Sequence, residues 1–181
     1  MSHLNKTKHN NKKQNGRNPN SRFSDGNEGK SNLTEKLVNL GRSAKVGKGG
    51  RRFSFRALVL VGNKEGSVGI GKGKAKEVPD AVKKATQSGS RRMDKVCLRG
   101  TTIPHPVIGK ASGSRVLLKP ACPGTGIKAG GAVRAVLECA GVKDIITKSL
   151  GSNTPDSLVQ AVLNALKQLR SKEDITRIRN S

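Results

Sequence analysis

Alternation of apolar and polar side chains is clearest over residues 51–61, and this pattern predicts a β-strand. The odd positions carry the apolar side chains Phe53, Phe55, Ala57, Val59 and Val61. The opposite face begins with Arg52 and Arg56 and turns apolar at Leu58 and Leu60. Because successive side chains of a strand point to opposite faces, we expect a strand that is half exposed at its basic start and buried on both faces at its far end.

Two further strands are predicted beside this one. The loop Gly62–Gly66 is typical of a hairpin connection, and residues 67–76 form the predicted return strand. Upstream, residues 35–46 are compatible with a third strand that ends at the loop Gly47–Gly50.

A helix is predicted after the return strand. Pro79 suits a first helical turn, and Asp80 lies near the positive end of the helix dipole. Apolar side chains repeat at helical spacing at Val78, Ala81, Val82 and Ala85. The polar run 87–92 ends the helix, so the order β-β-β-α is predicted for a first domain over residues 33–93.

Residues 94–170 show a mixed pattern and are predicted to form a second, α/β domain. Extended segments are expected over roughly 95–102 and 114–120, separated by a turn at Pro104-His-Pro106. A glycine-rich stretch from Pro123 leads into a helix that Gly141 ends.

The chain then continues with a short strand and a last helix. The strand is expected over residues 142–147, and residues 152–156 begin the helix. Its inward positions are Leu158, Val162, Ala165, Leu166 and Leu169. The charged residues 171–181 are expected to form a frayed C-terminal tail.

The net positive charge of the chain indicates the class of molecule that it binds. The 181 residues include 36 Lys and Arg against 12 Asp and Glu, a formal net charge of +24 at pH 7. Such an excess is self-repulsive unless a polyanion neutralises it, which indicates nucleic acid or an anionic membrane. No apolar run approaches the roughly 18 residues of a membrane span, and no long basic amphipathic helix stands out. Nucleic acid is therefore the predicted partner, and a membrane is not.

The scarcity of aromatic residues indicates how nucleic acid would be held. The chain has no Trp, no Tyr and three Phe. Base stacking needs aromatic platforms, whereas contacts to phosphate and sugar need only cations and close backbone approach. We therefore expect contacts with the backbone of folded RNA.

The charge is concentrated between Lys36 and Lys76, which contain eleven basic residues and one acidic residue, Glu65. The densest part lies on a glycine-rich loop at the start of a strand with an apolar underside. That setting favours phosphate binding over a merely solvated face. The candidate RNA-binding residues are Arg42, Lys45, Lys48, Gly49, Gly50, Arg51, Arg52, Arg56, Lys72, Lys74 and Lys76.

Residues 1–32 are predicted to be a disordered basic tail, because they lack the apolar side chains needed to offset ordering entropy. They contain seven basic and two acidic residues. The tail could contact RNA non-specifically or be dispensable and solvated. Its acidic residues Asp25 and Glu28 fit an organelle transit peptide poorly, and no signal-peptide pattern is present.

Two glycine-rich stretches suggest nucleotide binding. Gly66–Gly73 nearly matches the P-loop, but Gly73 replaces the hydroxyl residue that would hold magnesium. Its alternating glycines are better explained by clearing one strand face for close backbone packing or for RNA. Gly124–Gly130 precedes a helix and could bind an anion, as a small-molecule kinase would require. Glu138 is the only acidic residue between Lys95 and Val142, which argues against phosphoryl transfer.

No catalytic residue, metal site or cofactor is predicted, and we expect the chain not to be an enzyme. His105 has no partner that the sequence can place beside it, so a structural role is favoured over a general base. Cys97, Cys122 and Cys139 lie far apart and form no CxxC pair, and the three histidines of the chain are not grouped near them. Free thiols in a reducing compartment are expected rather than metal ligands or disulfides.

Long motifs resemble one known family. Gly50 to Val82 reads Gly-Arg-Arg-Phe-Ser-Phe-Arg-Ala-Leu-Val-Leu-Val-Gly-Asn-Lys-Glu-Gly-Ser-Val-Gly-Ile-Gly-Lys-Gly-Lys-Ala-Lys-Glu-Val-Pro-Asp-Ala-Val. This run closely resembles the signature of small-subunit ribosomal protein five in its bacterial form. Gly113-Ser-Arg-Val, Gly124-Thr-Gly-Ile and Ala129-Gly-Gly-Ala-Val-Arg-Ala-Val-Leu-Glu resemble the second domain of that family. The likeness covers about residues 34–170.

The resemblance implies an α+β fold. Its first domain would be similar to a double-stranded-RNA-binding β-β-β-α domain. Its second would be a β-α-β-α domain related to sugar and mevalonate kinases, which would explain a kinase-like glycine loop without kinase chemistry. The long polar N-terminus departs from the compact family pattern.

The resemblance also implies a place and partners. The chain would be a structural part of the small ribosomal subunit, in the cytoplasm, with an organelle ribosome as the alternative. It would bind small-subunit ribosomal RNA near the messenger entry channel, meet messenger RNA there, and contribute to subunit assembly and translational accuracy. Residues 42–51 match the spectinomycin-associated RNA loop of the family. Gly126 and Arg134 match its interface with small-subunit protein four, and protein eight would be a second neighbour.

Two other functions stay open from the sequence alone. One is a free-standing duplex-RNA-binding module that acts off the ribosome. The other is a small-molecule kinase that binds ATP at the Gly124 loop.

Overall fold

A computed structural model of the chain describes residues 33–180, so the tail predicted over residues 1–32 lies outside the described residues. The helices and strands, in chain order, are β1 Thr34–Gly47, β2 Gly50–Gly62, β3 Ser67–Ala75, α1 Val78–Ser90, β4 Met93–Lys95, β5 Val107–Ala111, β6 Ser114–Pro120, β7 Ile127–Lys128, α2 Gly131–Ala140, β8 Ile145–Ser149, α3 Pro155–Lys167 and α4 Lys172–Arg179. The strands form two four-stranded sheets, ordered β1-β2-β3-β4 and β5-β6-β8-β7. The α+β class, with a β-rich N-terminal part and a β-α C-terminal part, is confirmed.

Helix α1 packs on one face of the first sheet. The odd positions Ala57, Val59 and Val61 of β2 form a buried cluster with Ala81 and Ala85 of α1. On β3 the alternating glycines point to the same helix. A Cβ at Gly71 or Gly73 would collide with the backbone carbonyl of Ala85 or Ala81, respectively. The glycine alternation therefore allows close packing of α1, and this face is not open to RNA.

The opposite face of β2 joins a larger core. Leu58 and Leu60 belong to one buried cluster with side chains from the second sheet, α2 and α3. Burying one such leucine contributes about 1.5–3 kcal/mol. The two parts of the chain thus share a core, and the described residues belong to one compact unit.

Backbone hydrogen bonds reinforce this junction. The loop between β2 and β3 rests on the C-terminal end of α2. The Lys64 N–H donates to the Cys139 carbonyl at 3.1 Å, and the Gly66 N–H donates to the Ala140 carbonyl at 2.9 Å. Gly141 follows with φ +88°, and a Cβ there would collide with the Lys64 carbonyl. A glycine is therefore required both to end α2 and to admit the loop.

The second sheet presents one face to the helices. Strands β5, β6 and β8 are antiparallel, and β7 pairs parallel to β8. Val116 and Leu118 of β6 and Ile145 of β8 are buried in the shared core. A Cβ at Gly109 of β5 would collide with the Ala161 carbonyl of α3, so this strand also lies close to the helix layer.

Two predicted segments differ from the structure. Residues 95–102 were predicted to be extended, but the strand there is only Met93–Lys95, and the following residues make one isolated bridge between Arg99 and Thr102. The strand that the sequence pattern does not predict is β5, which pairs with β6 and begins directly after Pro106. Its Val-Ile-Gly-Lys-Ala sequence shows no clear alternation, because Gly109 occupies the central buried position.

The second difference is at the C-terminus, which is expected to be frayed. In the structure, residues 172–179 form the helix α4. The helix begins with a capping box. Ser171 accepts from the Asp174 amide at 3.0 Å, and the Asp174 carboxylate accepts from the Ser171 amide at 3.2 Å. This reciprocal pair satisfies two amides that a helix start would otherwise leave free.

Candidate nucleic-acid interface

The β1–β2 hairpin extends beyond the rest of its sheet. Strand β3 ends at Ala75, which lies opposite Phe55, whereas β1 and β2 stay paired as far as Gly47 and Gly50. Residues 42–53, here called the hairpin tip, therefore form a two-stranded ribbon without a third strand. All of their side chains are exposed.

One face of the hairpin tip places two cations side by side. Lys45 lies directly opposite Arg52 in the register of the two strands. Like charges in such cross-strand pairs are destabilising, and a phosphate bound between them would remove that repulsion. The neighbouring pair on this face is Ser43 and Ser54, whose hydroxyls are 2.9 Å apart.

The other face of the hairpin tip carries a cation on an aromatic ring. The Arg42 guanidinium lies 4.6 Å from the centroid of the Phe53 ring. This cation–π contact holds Arg42 in place. The sequence pattern assigned Phe53 to the buried face, but its side chain is 47% exposed because the apolar cluster under α1 reaches only as far as Phe55 and Ala75.

The turn at the end of the ribbon adds Lys48 between glycines. Gly50 has φ +135°, a conformation that favours glycine. Residues 45–52 line a shallow concavity whose cations are Lys45, Lys48, Arg51 and Arg52. Within residues 33–180 none of the cations of the hairpin tip forms an ion pair, so their charge is available to a partner.

A second group of predicted RNA-binding residues lies at the base of the hairpin. Arg56 is opposite Lys74 on neighbouring strands, with Lys72 one step further along. Asp156 at the start of α3 accepts from Lys72 at 3.2 Å and lies 3.7 Å from Arg56. These cations are largely exposed, so each pair contributes at most about 1 kcal/mol. Arg56 and Lys72 are thus partly neutralised by the chain itself, unlike the hairpin tip.

The remaining candidates lie elsewhere. Lys76 is exposed just after β3. Gly126, with φ +72°, precedes β7, and Arg134 lies in the first turn of α2. Arg134 Nε donates to Glu138 at 3.1 Å, and Glu138 also pairs with Lys36 of β1. The structure does not bring Gly126 and Arg134 to the hairpin tip, and their role at a protein interface stays a prediction.

The Gly124 loop is occupied by the chain's own carboxylate. The amides of Gly124 and Gly126 each donate to Asp144 Oδ1 at 3.0 Å. Asp144 is buried, and these hydrogen bonds, led by that of Gly126 with help from Thr101, hold the pKa of its carboxyl below the ordinary value. Two amides that ATP would need are therefore already satisfied. The sequence pattern does not indicate a role for Asp144, because this residue lies outside the glycine-rich stretch.

Other potentially reactive groups have structural surroundings. His105 Nε2 accepts from the Arg170 amide at 3.3 Å, which joins the Pro104–Pro106 turn to the end of α3. Cys97, Cys122 and Cys139 are free thiols. Over the described part of the chain, no cluster of His, Cys, Asp and Glu could hold a metal ion. None of the helices formed by residues 33–180 is long and apolar enough to cross a membrane.

A projecting ribbon of cations without carboxylates, on an α+β scaffold, is typical of nucleic-acid-binding proteins. Residues 33–97 match the family described as Ribosomal protein S5, N-terminal domain, and residues 109–179 match Ribosomal protein S5, C-terminal domain. The chain is 53% identical over 152 residues to the small ribosomal subunit protein uS5 of Rubrobacter xylanophilus, across 84% of this chain and 76% of that relative. This chain belongs to the ribosomal protein S5 family. The resemblance identified from the sequence is therefore confirmed, and with it the assignment to RNA-binding ribosomal proteins that act in translation.

Proposed function

We propose that this chain is a structural component of the small ribosomal subunit that binds small-subunit ribosomal RNA through the hairpin tip. The observation that carries the proposal is the opposed pair Lys45 and Arg52 in a ribbon that contains no acidic residue. Such a ribbon gains stability when phosphates lie against it, and its backbone amides near Gly49 and Gly50 allow a close approach. No catalytic step is assigned to the chain.

Membership of the ribosomal protein S5 family supports the finer parts of the proposal. The hairpin tip lies near the messenger entry channel, where it meets incoming messenger RNA and contributes to translational accuracy and subunit assembly. Gly126 and Arg134 contact small-subunit protein four, and protein eight is a second neighbour. Arg56, Lys72, Lys74 and Lys76 supply further RNA contacts beside the hairpin tip.

The experiment compares two triple variants of the full chain in binding to folded small-subunit RNA. The first is Lys48→Ala/Arg51→Ala/Arg52→Ala in the hairpin tip. The matched control is Lys64→Ala/Lys83→Ala/Lys143→Ala, which removes the same charge from three separate exposed positions. Each lost phosphate contact should lower the log–log salt slope by roughly 0.7–0.9. We expect a loss of roughly 2–3 for the tip variant and less than about 1 for the control. Equal slopes for the two variants would refute the proposed site.

Sedimentation distinguishes this function from a duplex-RNA module acting off the ribosome. We expect the full chain in a cell lysate to migrate with small subunits, and the tip variant to shift towards the free fractions. Migration of the unaltered chain only in free fractions would favour the off-ribosome module.

A further inference from the structure

The outer face of the second sheet is open and cationic, although its inner face is packed. Side chains on one face of β6 and β8, among them Val116 and Ile145, point into the shared core. By alternation, the intervening positions point away from the helices. The cations at these outward positions are Lys110, Arg115, Lys119, Lys128 and Lys148, and all five are exposed.

The strand register arranges this face in three cross-strand rows. The first row pairs Lys110 with Arg115. The second runs from Ile108 through Leu117 to Lys148. The third runs from Lys119 through Ile146 to Lys128. Each row therefore carries at least one cation, and the remaining positions of the rows are occupied by Leu or Ile. We call these eight residues the outer sheet face.

The positive charge of the outer sheet face is not balanced by acidic residues in its own strands. Strands β5, β6, β7 and β8 contain no Asp or Glu. Within residues 33–180, none of the five cations forms an ion pair. The first row even places two like charges directly opposite, as Lys45 and Arg52 are placed in the hairpin tip. Such a pair is destabilising in isolation and favourable beside an anion.

The spacing of the cations on the outer sheet face suits an RNA helix. The minor groove of A-form RNA is wide and shallow, and proteins recognise it through phosphates and sugars rather than bases. Lys119 lies on β6 and Lys128 on β7, and β8 with Ile146 lies between these two strands. The backbones of β6 and β7 are therefore roughly 10 Å apart. The flexible side chains of the two lysines can reach phosphates on either side while Ile108 and Ile146, which are 46% and 42% exposed, lie against the sugars.

We propose that the outer sheet face is a second RNA-binding surface, which contacts the phosphates and sugars of a helical segment of the same ribosomal RNA. This inference deepens the proposed function and rests on it, because it gives one protein two separate attachments to one RNA. Two linked contacts raise the overall affinity through effective concentration, even when each one alone is weak.

The test removes charge from this face alone. The sheet variant is Lys110→Gln/Arg115→Gln/Lys119→Gln/Lys148→Gln in the full chain. The control is Lys64→Gln/Lys83→Gln/Arg99→Gln/Lys143→Gln, which removes one Arg and three Lys from scattered exposed positions. Binding to folded small-subunit RNA is measured at several salt concentrations. We expect the sheet variant to lower the salt slope by roughly 3, and the control by less than about 1.

A conservative variant separates charge from folding. Lys110→Arg/Lys119→Arg/Lys148→Arg keeps the charges and should bind as the unaltered chain does. Circular dichroism should show that the sheet variant unfolds at a temperature no lower than that of the control, since all altered side chains are exposed and the repulsion between Lys110 and Arg115 is removed. If the sheet variant were misfolded, the single changes Lys119→Gln and Lys148→Gln would replace it, each with an expected slope loss of roughly 0.7–0.9.

The outcomes distinguish this inference from the proposed function. Equal slopes for the sheet variant and its control overturn the second surface, while the hairpin-tip variant still tests the first one. If the sheet variant binds free RNA normally but no longer migrates with small subunits, the face binds a protein, and the RNA assignment is wrong. If the hairpin-tip variant leaves the slope unchanged, the proposed function fails whatever the sheet variant does.

Discussion

The base and the tip of the β1–β2 hairpin share the same two strands but have opposite surroundings. At the base, β2 is covered by α1 on one face and by the shared core on the other, and Val59 and Leu60 are 1% and 0% exposed. At the tip, both faces are open, and five Lys and Arg side chains lie within residues 42–52. The ribbon can project without a third strand because its base is held firmly. The residues that stabilise the fold and those proposed to bind RNA are therefore separated along one pair of strands.

The largest effect on the free energy of unfolding is expected when a buried side chain at the base of the hairpin is truncated. Leu60→Ala removes a fully buried side chain from the core that both parts of the chain share, and it should lower the free energy of unfolding by about 2–5 kcal/mol. Urea unfolding followed by circular dichroism measures this, since the chain has no Trp or Tyr to report by fluorescence. Val46→Ala at the 71% exposed tip position is the control, with a change within about 0.5 kcal/mol. Two separate transitions, one for each part, would contradict the shared core.

Two glycine variants test the same difference between the base and the tip of the hairpin. Gly71→Ala drives a Cβ into the Ala85 carbonyl under α1, and overpacking of this kind costs about 1–3 kcal/mol. Gly49→Ala in the turn meets no atom within 4 Å, so the free energy of unfolding should change by less than about 0.5 kcal/mol. In RNA binding the order should reverse, with Gly49→Ala weakening the complex and Gly71→Ala having little effect while the protein is folded. Similar losses of stability at both glycines would remove the distinction between base and tip.

Substitution of Asp144, which accepts hydrogen bonds from the Gly124 loop, should change stability less, and this change should depend on pH. Asp144 has a lowered pKa in the folded chain because the Gly126 and Gly124 amides donate to it. Its contribution to stability is therefore present above the ordinary value of 3.8 and is lost as the pH falls through the lower folded pKa. Asp144→Asn should lower the unfolding temperature at pH 7, and the difference from the unaltered chain should shrink below about pH 4. Glu65→Gln, at an exposed loop position, is the control, and at pH 7 it should unfold at about the same temperature as the unaltered chain.

The smallest effect on stability is expected when the ion pairs of Asp156, which lie where the base and the hairpin tip meet, are broken. Asp156→Asn breaks the ion pairs with Arg56 and Lys72, whereas Asp80→Asn alters the first turn of α1, for which no ion pair occurs within residues 33–180. Both changes remove a favourable charge from a helix start, so their difference isolates the ion pairs. We expect this difference to be under about 1 kcal/mol. The RNA affinity of Asp156→Asn should rise slightly as the two cations are released. A fall in affinity would mean that Asp156 orders the cations for RNA.

Much of the first sheet was predictable because its signals are local. The alternation at Phe55, Ala57 and Val59 defines β2, and the added apolar residues Leu58 and Leu60 correctly indicate burial on both faces. The glycine alternation of β3 left two explanations open, and only the position of α1 decides between them. The capping box at Ser171 and Asp174 was also a local signal, which the charge of the segment concealed.

The site could be predicted less completely, because its decisive contacts join distant residues. The cations of the hairpin tip are visible in the sequence, and so is their density. The pairing of Arg56 and Lys72 with Asp156 is not, since these residues are far apart along the chain. The same holds for Asp144, and for the outer sheet face, whose cations are spread over four strands and meet only through the register.

The shared core has a consequence for the order in which the chain is made. Leu58, Leu60 and Val68 are covered by side chains that extend as far as Leu166 and Leu169 of the C-terminal part. A nascent chain that has emerged only through α1 can pack one face of its sheet, while the other face stays apolar and exposed. Domains generally fold in order from the N-terminus during synthesis, and exposed apolar surface makes intermediates prone to association. The second face of the first sheet can therefore be covered completely only when nearly all of the chain has left the ribosome that is making it.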